Sequence, residues 1–208
     1  MSFRYPGARL LIFAKAPQPG LAKTRLIPAL GADGAARLHE ELVWATVRRM
    51  ADAALCRIEL WVTPEPRHPL FLELARLYDV SLHTQHGGDL GERMYLAARD
   101  ALIRCDAAVL IGTDCPPLGA AAVEEALTHL RRCDAVIAPA EDGGYGLLAL
   151  KKIKQALFVR VPWGSAEVAA VTRDRMSDLG WCWRELDTVW DVDRPEDLER
   201  YGNYAGDR

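Results

Sequence analysis

The chain is expected to fold as an α/β protein of three layers, α/β/α, with a mostly parallel sheet that includes a short antiparallel element. Three observations lead there. Short apolar runs bounded by Gly, Pro and polar residues recur at 9–14, 58–63, 80–84, 107–111 and 135–139, and such runs read as strands buried on both faces. Segments with apolar residues at helical spacing lie between them. Strands alternating with helices are the pattern of parallel strands joined by crossover helices. The 208 residues suit one domain spanning 1–208, with room for a full core.

Taken in order, residues 9–14 form the first strand, followed by a loop with two prolines and a glycine, Pro17, Pro19 and Gly20. A helix follows, with Asp33 as its expected cap and Leu38, Leu42, Thr46, Met50 and Ala54 on one face. Residues 58–63 form the second strand, closed by Pro64 and Pro66. A short helix over 69–77 leads to a third strand at 80–84. Asp89, with Glu92 three residues on, reads as a capping box opening a helix that runs to about residue 104. Met94, Ala98, Ala101 and Leu102 give that helix its apolar stripe. The strand at 107–111 stops at Gly112. Pro116 and Pro117 stiffen the backbone just beyond and prevent further pairing. A helix with Val123, Ala126, Leu127 and Leu130, a strand at 135–139, a glycine break at 143–144 and a strand at 145–150 complete the middle of the chain. Residues 162–165 cap a helix carrying Val168, Thr172, Arg175 and Leu179. Short extended pieces around Trp183 and Val189 precede a last helix, with Pro195 in its first turn.

The composition excludes several classes. Charged residues make up 26% of the chain and the net charge is −3. There is no basic surplus for nucleic acid, and no apolar run is long enough to span a bilayer. No signal-peptide core precedes the first strand. The five cysteines are scattered without a C-x-x-C pair, which suggests neither a disulfide framework nor a zinc site and fits a reducing cytoplasm. The five histidines form no H-x-x-x-H spacing and are expected mostly at the surface.

The candidate chemistry gathers at the carboxyl ends of the strands, where open α/β sheets bind ligands. After strand one, Lys15, Pro19, Gly20, Lys23 and Arg25 form a cationic loop able to cradle phosphates through side chains and backbone N–H groups. It is not a Walker A loop, because Ala22 stands where that motif needs its second Gly. Asp114 stands just past strand 107–111, with Thr113 beside it. Asp114 reads as a cation ligand or as a turn former bonding its own backbone. Asp191 and Asp193 lie near the C-terminus; either could share an ion with Asp114, and Asp193 also suits a helix start. Asp142, Gly143 and Gly144 could hold an acceptor, or make a tight turn between strands. Gln85, Gly88 and Asp89 could read a base or ribose, with capping the stronger reading for Asp89. Trp163 and Ser165 could line an acceptor pocket; a packing aromatic and a helix cap are their simpler roles. Cys115 has no neighbouring His or Cys in the sequence to activate it as a nucleophile.

Five ordered motifs carry a family resemblance: 13–26 (Phe-Ala-Lys-Ala-Pro-x-Pro-Gly-x-x-Lys-Thr-Arg-Leu), 88–94 (Gly-Asp-Leu-Gly-Glu-Arg-Met), 112–116 (Gly-Thr-Asp-Cys-Pro), 141–145 (Glu-Asp-Gly-Gly-Tyr) and 191–198 (Asp-Val-Asp-x-Pro-Glu-Asp-Leu). Together they resemble the radical-SAM/selenodomain-associated transferase 1 family. That family belongs to the nucleotide-diphospho-sugar transferase (GT-A) superfamily, whose members include molybdenum-cofactor and phospholactate guanylyltransferases. The resemblance covers most of the chain and implies a single Rossmann-like GT-A domain with Mg²⁺ or Mn²⁺ as cofactor. By motif, Lys23 and Arg25 would contact phosphates, and Asp114 and Asp193 would ligate the metal. Two positions depart from the pattern. Arg194 precedes Pro195 where relatives commonly carry Thr, and Tyr145-Gly146 replaces a commoner double aromatic.

The expected activity is therefore metal-dependent nucleotidyl transfer from a nucleoside triphosphate to a small phosphorylated or acidic acceptor, with Lys23, Arg25 and Asp114 as catalytic residues. A GT-A glycosyltransferase using a nucleotide sugar is the first alternative; a single acid at Gly112-Thr113-Asp114, rather than D-x-D, tilts against it. A non-catalytic nucleotide-binding protein is the second. The expected partners are a nucleotide or nucleotide sugar and a small acceptor, with no nucleic acid and no membrane. The expected state is a monomer or homodimer.

Overall fold

A computed structural model of the chain describes residues 3–206. Seven strands form one sheet in the order β3-β2-β1-β4-β6-β5-β7. β1 (Ala8–Lys15) pairs parallel with β2 (Arg57–Thr63) and with β4 (Ala107–Ile111), and β2 pairs parallel with β3 (Ser81–Thr84). β5 (Ala135–Pro139) and the short edge strand β7 (Trp183–Glu185) are also parallel. β6 (Tyr145–Leu150) runs against both β4 and β5. The reversal comes from the tight connection between β5 and β6, in which the N–H groups of Ala140 and Gly143 donate to the carbonyls of Gly144 and Ala140. A turn that short can join only antiparallel neighbours.

The alternation of side chains along the strands sends residues to two separate cores. Leu10, Ile12, Leu60, Val62, Val109 and Ile111 meet one set of helices: α1 (Ile27–Asp52), α2 (Pro69–Tyr78) and α4 (Ala120–His129). Leu11, Trp61, Leu110, Ile137 and Leu148 meet α3 (Leu90–Leu102) and α5 (Val168–Asp178) on the opposite face. This is the expected three-layer arrangement. Each central strand is buried on both faces, which is why these strands read as unbroken apolar runs.

A third, smaller core fixes the C-terminal segment. Leu26, Leu38 and Leu42 pack with Trp190 and Val192, and with Leu198, Tyr201 and Tyr204 of α6 (Asp197–Gly206). The N–H of Val192 donates to the carbonyl of Asp114 at 2.9 Å. Residues 189–193 are thereby strapped across the carboxyl end of β4.

Two local expectations are corrected. Asp33 does not cap α1. The segment begins at Ile27, with Pro28 in its first turn, and is broken at Gly31, whose φ of 70° and ψ of 167° are not helical, so the longer helix starts after Gly31. Pro suits the first turn and Gly suits the break, so Asp33 falls two residues past the break rather than at the cap. Ala54, expected on the helix face, lies beyond the helix end. At α3 the expected capping holds: the Asp89 carboxylate accepts from Glu92 N–H at 2.7 Å, while Glu92 reaches back to Gly88 N–H at 2.7 Å. All five cysteines are free thiols. Among the described residues no helix is long and apolar enough to cross a membrane.

Candidate active site

Asp114 follows β4 on a short connection stiffened by two prolines. One of its oxygens, Oδ2, accepts from the ammonium of Lys23 at 2.9 Å; the Lys23 side chain is 3% exposed and that of Asp114 is 42% exposed. Lys23 also donates to the Val192 carbonyl at 2.5 Å. It therefore ties the loop after β1, the end of β4 and the C-terminal strap together. Its backbone supports this reach, since φ 48° and ψ 45° place Lys23 in the left-handed region. For a residue with a Cβ that conformation costs about 1–2 kcal/mol, a cost borne where the surroundings over-determine it.

The second oxygen of Asp114 faces His39. The ring Nδ1 lies 3.6 Å from Oδ1, and Nε2 lies 2.9 Å from the Lys15 carbonyl. A carbonyl only accepts, so Nε2 is the donor. Burial opposes the charge on Asp114, but Lys23 and His39 outweigh it and hold the carboxyl well below the usual carboxylate range.

Asp114, Asp142 and Asp191 line one cavity of about 290 Å³. Asp142 sits in the β5–β6 turn, where its Oδ1 accepts from Gly144 N–H at 2.8 Å. Gly143 in the same turn has φ 88°, and a Cβ there would lie 2.1 Å from the Ala166 carbonyl oxygen. Only glycine lets the turn lie that close to the 162–167 segment. Asp191 comes from the strap. Burial first, then the charge of Asp142, raises its carboxyl to about 6; Asp193 and Asp114 add to the rise and Lys23 offsets part of it. Asp142 and Asp191 also border an adjoining cleft with Arg25 and Asp193.

The sequence candidates divide as follows. Arg25 pairs with the Asp193 carboxylate. The Asp193 N–H donates to Asp197, which also accepts from Arg194 N–H. Lys15 donates to the Leu21 carbonyl at 2.7 Å within its own loop, and Gly20 turns that loop with φ 80°. Pro19 precedes it. Gln85 donates to the carbonyls of Trp61 and Ala14, so its amide closes the ends of β1 and β2. Thr113 is buried, its hydroxyl 3.4 Å from Asp114 Oδ1. Gly88 and Asp89 cap α3. Trp163 and Ser165 line the cavity with Gly144; the Ser165 hydroxyl accepts from Glu167 N–H. Burial and the charge of Asp114 push the Cys115 thiol far above its ordinary range, so it is no nucleophile.

These are hard oxygen donors facing a shared space with too little positive charge, which is the donor chemistry that suits Mg²⁺ or Mn²⁺. Among the described residues no three His, Cys, Asp or Glu side chains converge closely enough to hold an ion unaided. Magnesium commonly takes one or two carboxylates together with substrate phosphates and water. The residues present fit such an ion.

Residues 46–165 match the family model described as an uncharacterized protein conserved in bacteria, DUF2064. The chain belongs to the DUF2064 family. A candidate nucleotide-diphospho-sugar transferase from Desulfovibrio desulfuricans G20 is 31% identical, with a TM-score of 0.83 over 91% of this chain and 83% of that one. The DUF2064 fold is shared more widely. 4-diphosphocytidyl-2C-methyl-D-erythritol synthase from Anaerococcus prevotii DSM 20548 is 12% identical, with a TM-score of 0.64 over 97% and 96% of the two chains. CMP:2-keto-3-deoxy-manno-octonic acid synthetase, solved with CTP, is 13% identical with a TM-score of 0.62 over 96% and 98%. At such identity the likeness is one of fold. No curated protein matches this DUF2064 chain.

Sequence reasoning missed His39, expecting the histidines mostly at the surface; it is 5% exposed. The signal was its place next to Leu38 and three residues before Leu42 on the buried stripe of α1. It also missed the apolar wall of the cavity, formed in part by Phe13, Leu90, Met94 and Tyr145. Those residues come from three separate elements, β1, α3 and β6, and each reads locally as ordinary core.

Proposed function

We propose that this protein is a divalent-metal-dependent nucleotidyltransferase acting on a nucleoside triphosphate and a small acceptor, as its resemblance to the radical-SAM/selenodomain-associated transferases also suggests. The observation that carries the reading is the meeting of Lys23 and Arg25 with Asp114, Asp191 and Asp193 at one sheet edge. Five charges from the first, middle and last parts of the chain gather beside an open cavity. A cluster like this suits a polyphosphate with its cation, and it costs stability without one.

Asp114 and Asp191 would hold the ion, joined by Asp193 once Arg25 leaves it for a phosphate. The bound ion would neutralise charge on the α-phosphate and on the departing pyrophosphate. Arg25 can turn from Asp193 to the triphosphate and grip it bidentately. Lys23 keeps Asp114 ionised and oriented. The His39 ring lies beside the other Asp114 oxygen, its Nδ1 3.6 Å away. In the reaction an acceptor oxygen attacks the α-phosphorus in line as the bond to the bridging oxygen breaks and pyrophosphate leaves. Positioning and charge supply most of the rate, as is usual for phosphoryl-type transfer.

CTP is the first nucleotide to test, because the fold is shared with a synthetase solved with CTP and with the inositol-1-phosphate CTP transferase of T. maritima, which is 14% identical. The test is pyrophosphate release from each triphosphate with Mg²⁺ and a panel of phosphorylated and hydroxyl acceptors. Release that requires both acceptor and metal supports the reading. Absence of both nucleotide binding and release overturns it.

The 31% identical candidate nucleotide-diphospho-sugar transferase supports a second reading, glycosyl transfer from a nucleotide sugar. The same edge and ion would serve. Calorimetry with UDP-sugars beside CTP and GTP separates the two.

A further inference from the structure

We infer that the acceptor carries an uncharged, apolar body, ring-sized, which enters the cavity beside Asp114 while its reacting oxygen stays at the acid rim. This rests on the transferase reading and names the acceptor class for that same site.

The walls carry the argument. Phe13, Leu90, Met94, Leu110, Tyr145 and Trp163 surround the cavity, with Tyr145 and Trp163 set edge to face at 6.4 Å. Among the described residues no Lys, Arg or His lines it. The charged side chains present are three carboxylates, Asp114, Asp142 and Asp191. A phosphate or carboxylate placed deep in the cavity would face these acids without a counter-charge. An anionic group can sit only at the rim, where Lys23, Arg25 and an ion can reach it.

A polyhydroxylated body fares no better. Each buried hydroxyl needs a partner, and leaving one unpaired costs about 1–3 kcal/mol. Beyond the three carboxylates the polar side chains are few and partly engaged, and the unpaired Trp163 indole N–H is buried against Gly91. Asp142 already accepts from Gly144, Ser165 accepts from Glu167, and the Tyr145 hydroxyl rests 3.8 Å from the Met94 sulfur. An apolar group makes no such demand and gains from leaving water. Gly146 lets β6 lie close against Val189 and Cys115 at the inner end, since a Cβ there would lie 2.8 Å from Val189 and 3.0 Å from Cys115. A cavity of about 290 Å³ has room for one ring rather than a long chain.

The test compares benzyl phosphate with glycerol 3-phosphate, titrated calorimetrically into the full chain with Mg²⁺ and the nucleotide found to bind. Benzyl alcohol is titrated separately without nucleotide, followed by tryptophan fluorescence. Benzyl phosphate should bind at least roughly tenfold more tightly than glycerol 3-phosphate, from the apolar area it buries. Leu90→Asp should erase that preference. Leu90 is 46% exposed at the first position of α3, where Asp is favoured, so the fold tolerates the change. Nucleotide binding with equal affinities, or with glycerol 3-phosphate preferred, overturns the inference and leaves the transferase reading intact. Benzyl alcohol bound by the native chain but not by Leu90→Asp, with no nucleotide binding at all, supports the apolar cavity and sinks the transferase reading. No response to any aromatic probe overturns the inference.

Discussion

The Lys23 ammonium lies 2.9 Å from the Asp114 carboxylate while also donating to the Val192 carbonyl. One side chain thus links the loop after β1, the end of β4 and the C-terminal strap. The position of Asp191 and Asp193 relative to Asp114 depends on that link, because Val192 lies between them and also bonds the Asp114 carbonyl.

Replacing Lys23 should therefore do two things at once. Lys23→Met should leave Asp114 without its main counter-charge and the Val192 carbonyl without a donor. Stability should fall by about 1–3 kcal/mol, read as a lower midpoint in urea. Turnover should fall by roughly a hundredfold or more, since a charge aimed at the reacting centre is lost. Unchanged turnover would show that Lys23 is structural only.

Asp114→Asn should keep the fold and lose the metal. Thermal unfolding with and without Mg²⁺ and nucleotide reads this: the native protein should gain stability from the pair, and the variant should not. An equal gain in both would remove Asp114 from the ion site.

Asp191 gives a pH signature in the metal-free protein. Its folded carboxyl is raised to about 6 from an ordinary 3.8. Between those values the folded state holds a proton that the unfolded state has released. This contribution therefore favours folding at low pH and is lost as pH rises through that window. Asp191→Asn should flatten this part of the stability–pH profile and stabilise the metal-free protein at pH 7. A profile that the substitution leaves unchanged would contradict the crowding of acids described above.

His39 should matter beyond packing. His39→Leu puts an apolar residue on the buried face of α1 but removes the donor to the Lys15 carbonyl and the ring nitrogen 3.6 Å from Asp114 Oδ1. The expected cost is about 1–3 kcal/mol in stability. A fall in kcat that exceeds the change in nucleotide affinity would mark it as a positioning residue for Asp114. A stability loss with kcat unchanged would make it part of the core alone.

Gly143→Ala tests the turn that carries Asp142. The added methyl would meet the Ala166 backbone in a left-handed residue, and a loss of roughly 1–3 kcal/mol is expected, read by thermal unfolding. Gly144→Ala is the milder neighbour, because its Cβ would approach only the Asp142 side chain, at 3.1 Å.

Much of the fold was legible because its strands are short, apolar and bounded by turn residues. The expected limits of 107–111, 135–139 and 145–150 agree with β4, β5 and β6. The place of β6 was not legible. The glycine turn at 143–144 marks a reversal, yet insertion of β6 between β4 and β5 depends on pairing with residues far along the chain. The helix start failed for a local reason, since Gly31 and Pro28 shape α1 through backbone geometry rather than a polar cap. At the site, the residue types were visible and their pairings were not. Nothing near Arg25 in sequence announces Asp193, and nothing near Asp114 announces Lys23 or His39. The apolar cavity wall stayed hidden because a residue that lines a cavity and one that fills a core look alike in sequence.

The most direct test of the central claim is Mn²⁺ binding followed by water-proton relaxation, with and without CTP, in the native chain and in Asp114→Asn. Polyphosphate, ion and acids meeting at one edge predicts weak Mn²⁺ binding alone, much tighter binding with the nucleotide, and loss of that enhancement in the variant. Mn²⁺ binding that ignores both the nucleotide and Asp114 would contradict it.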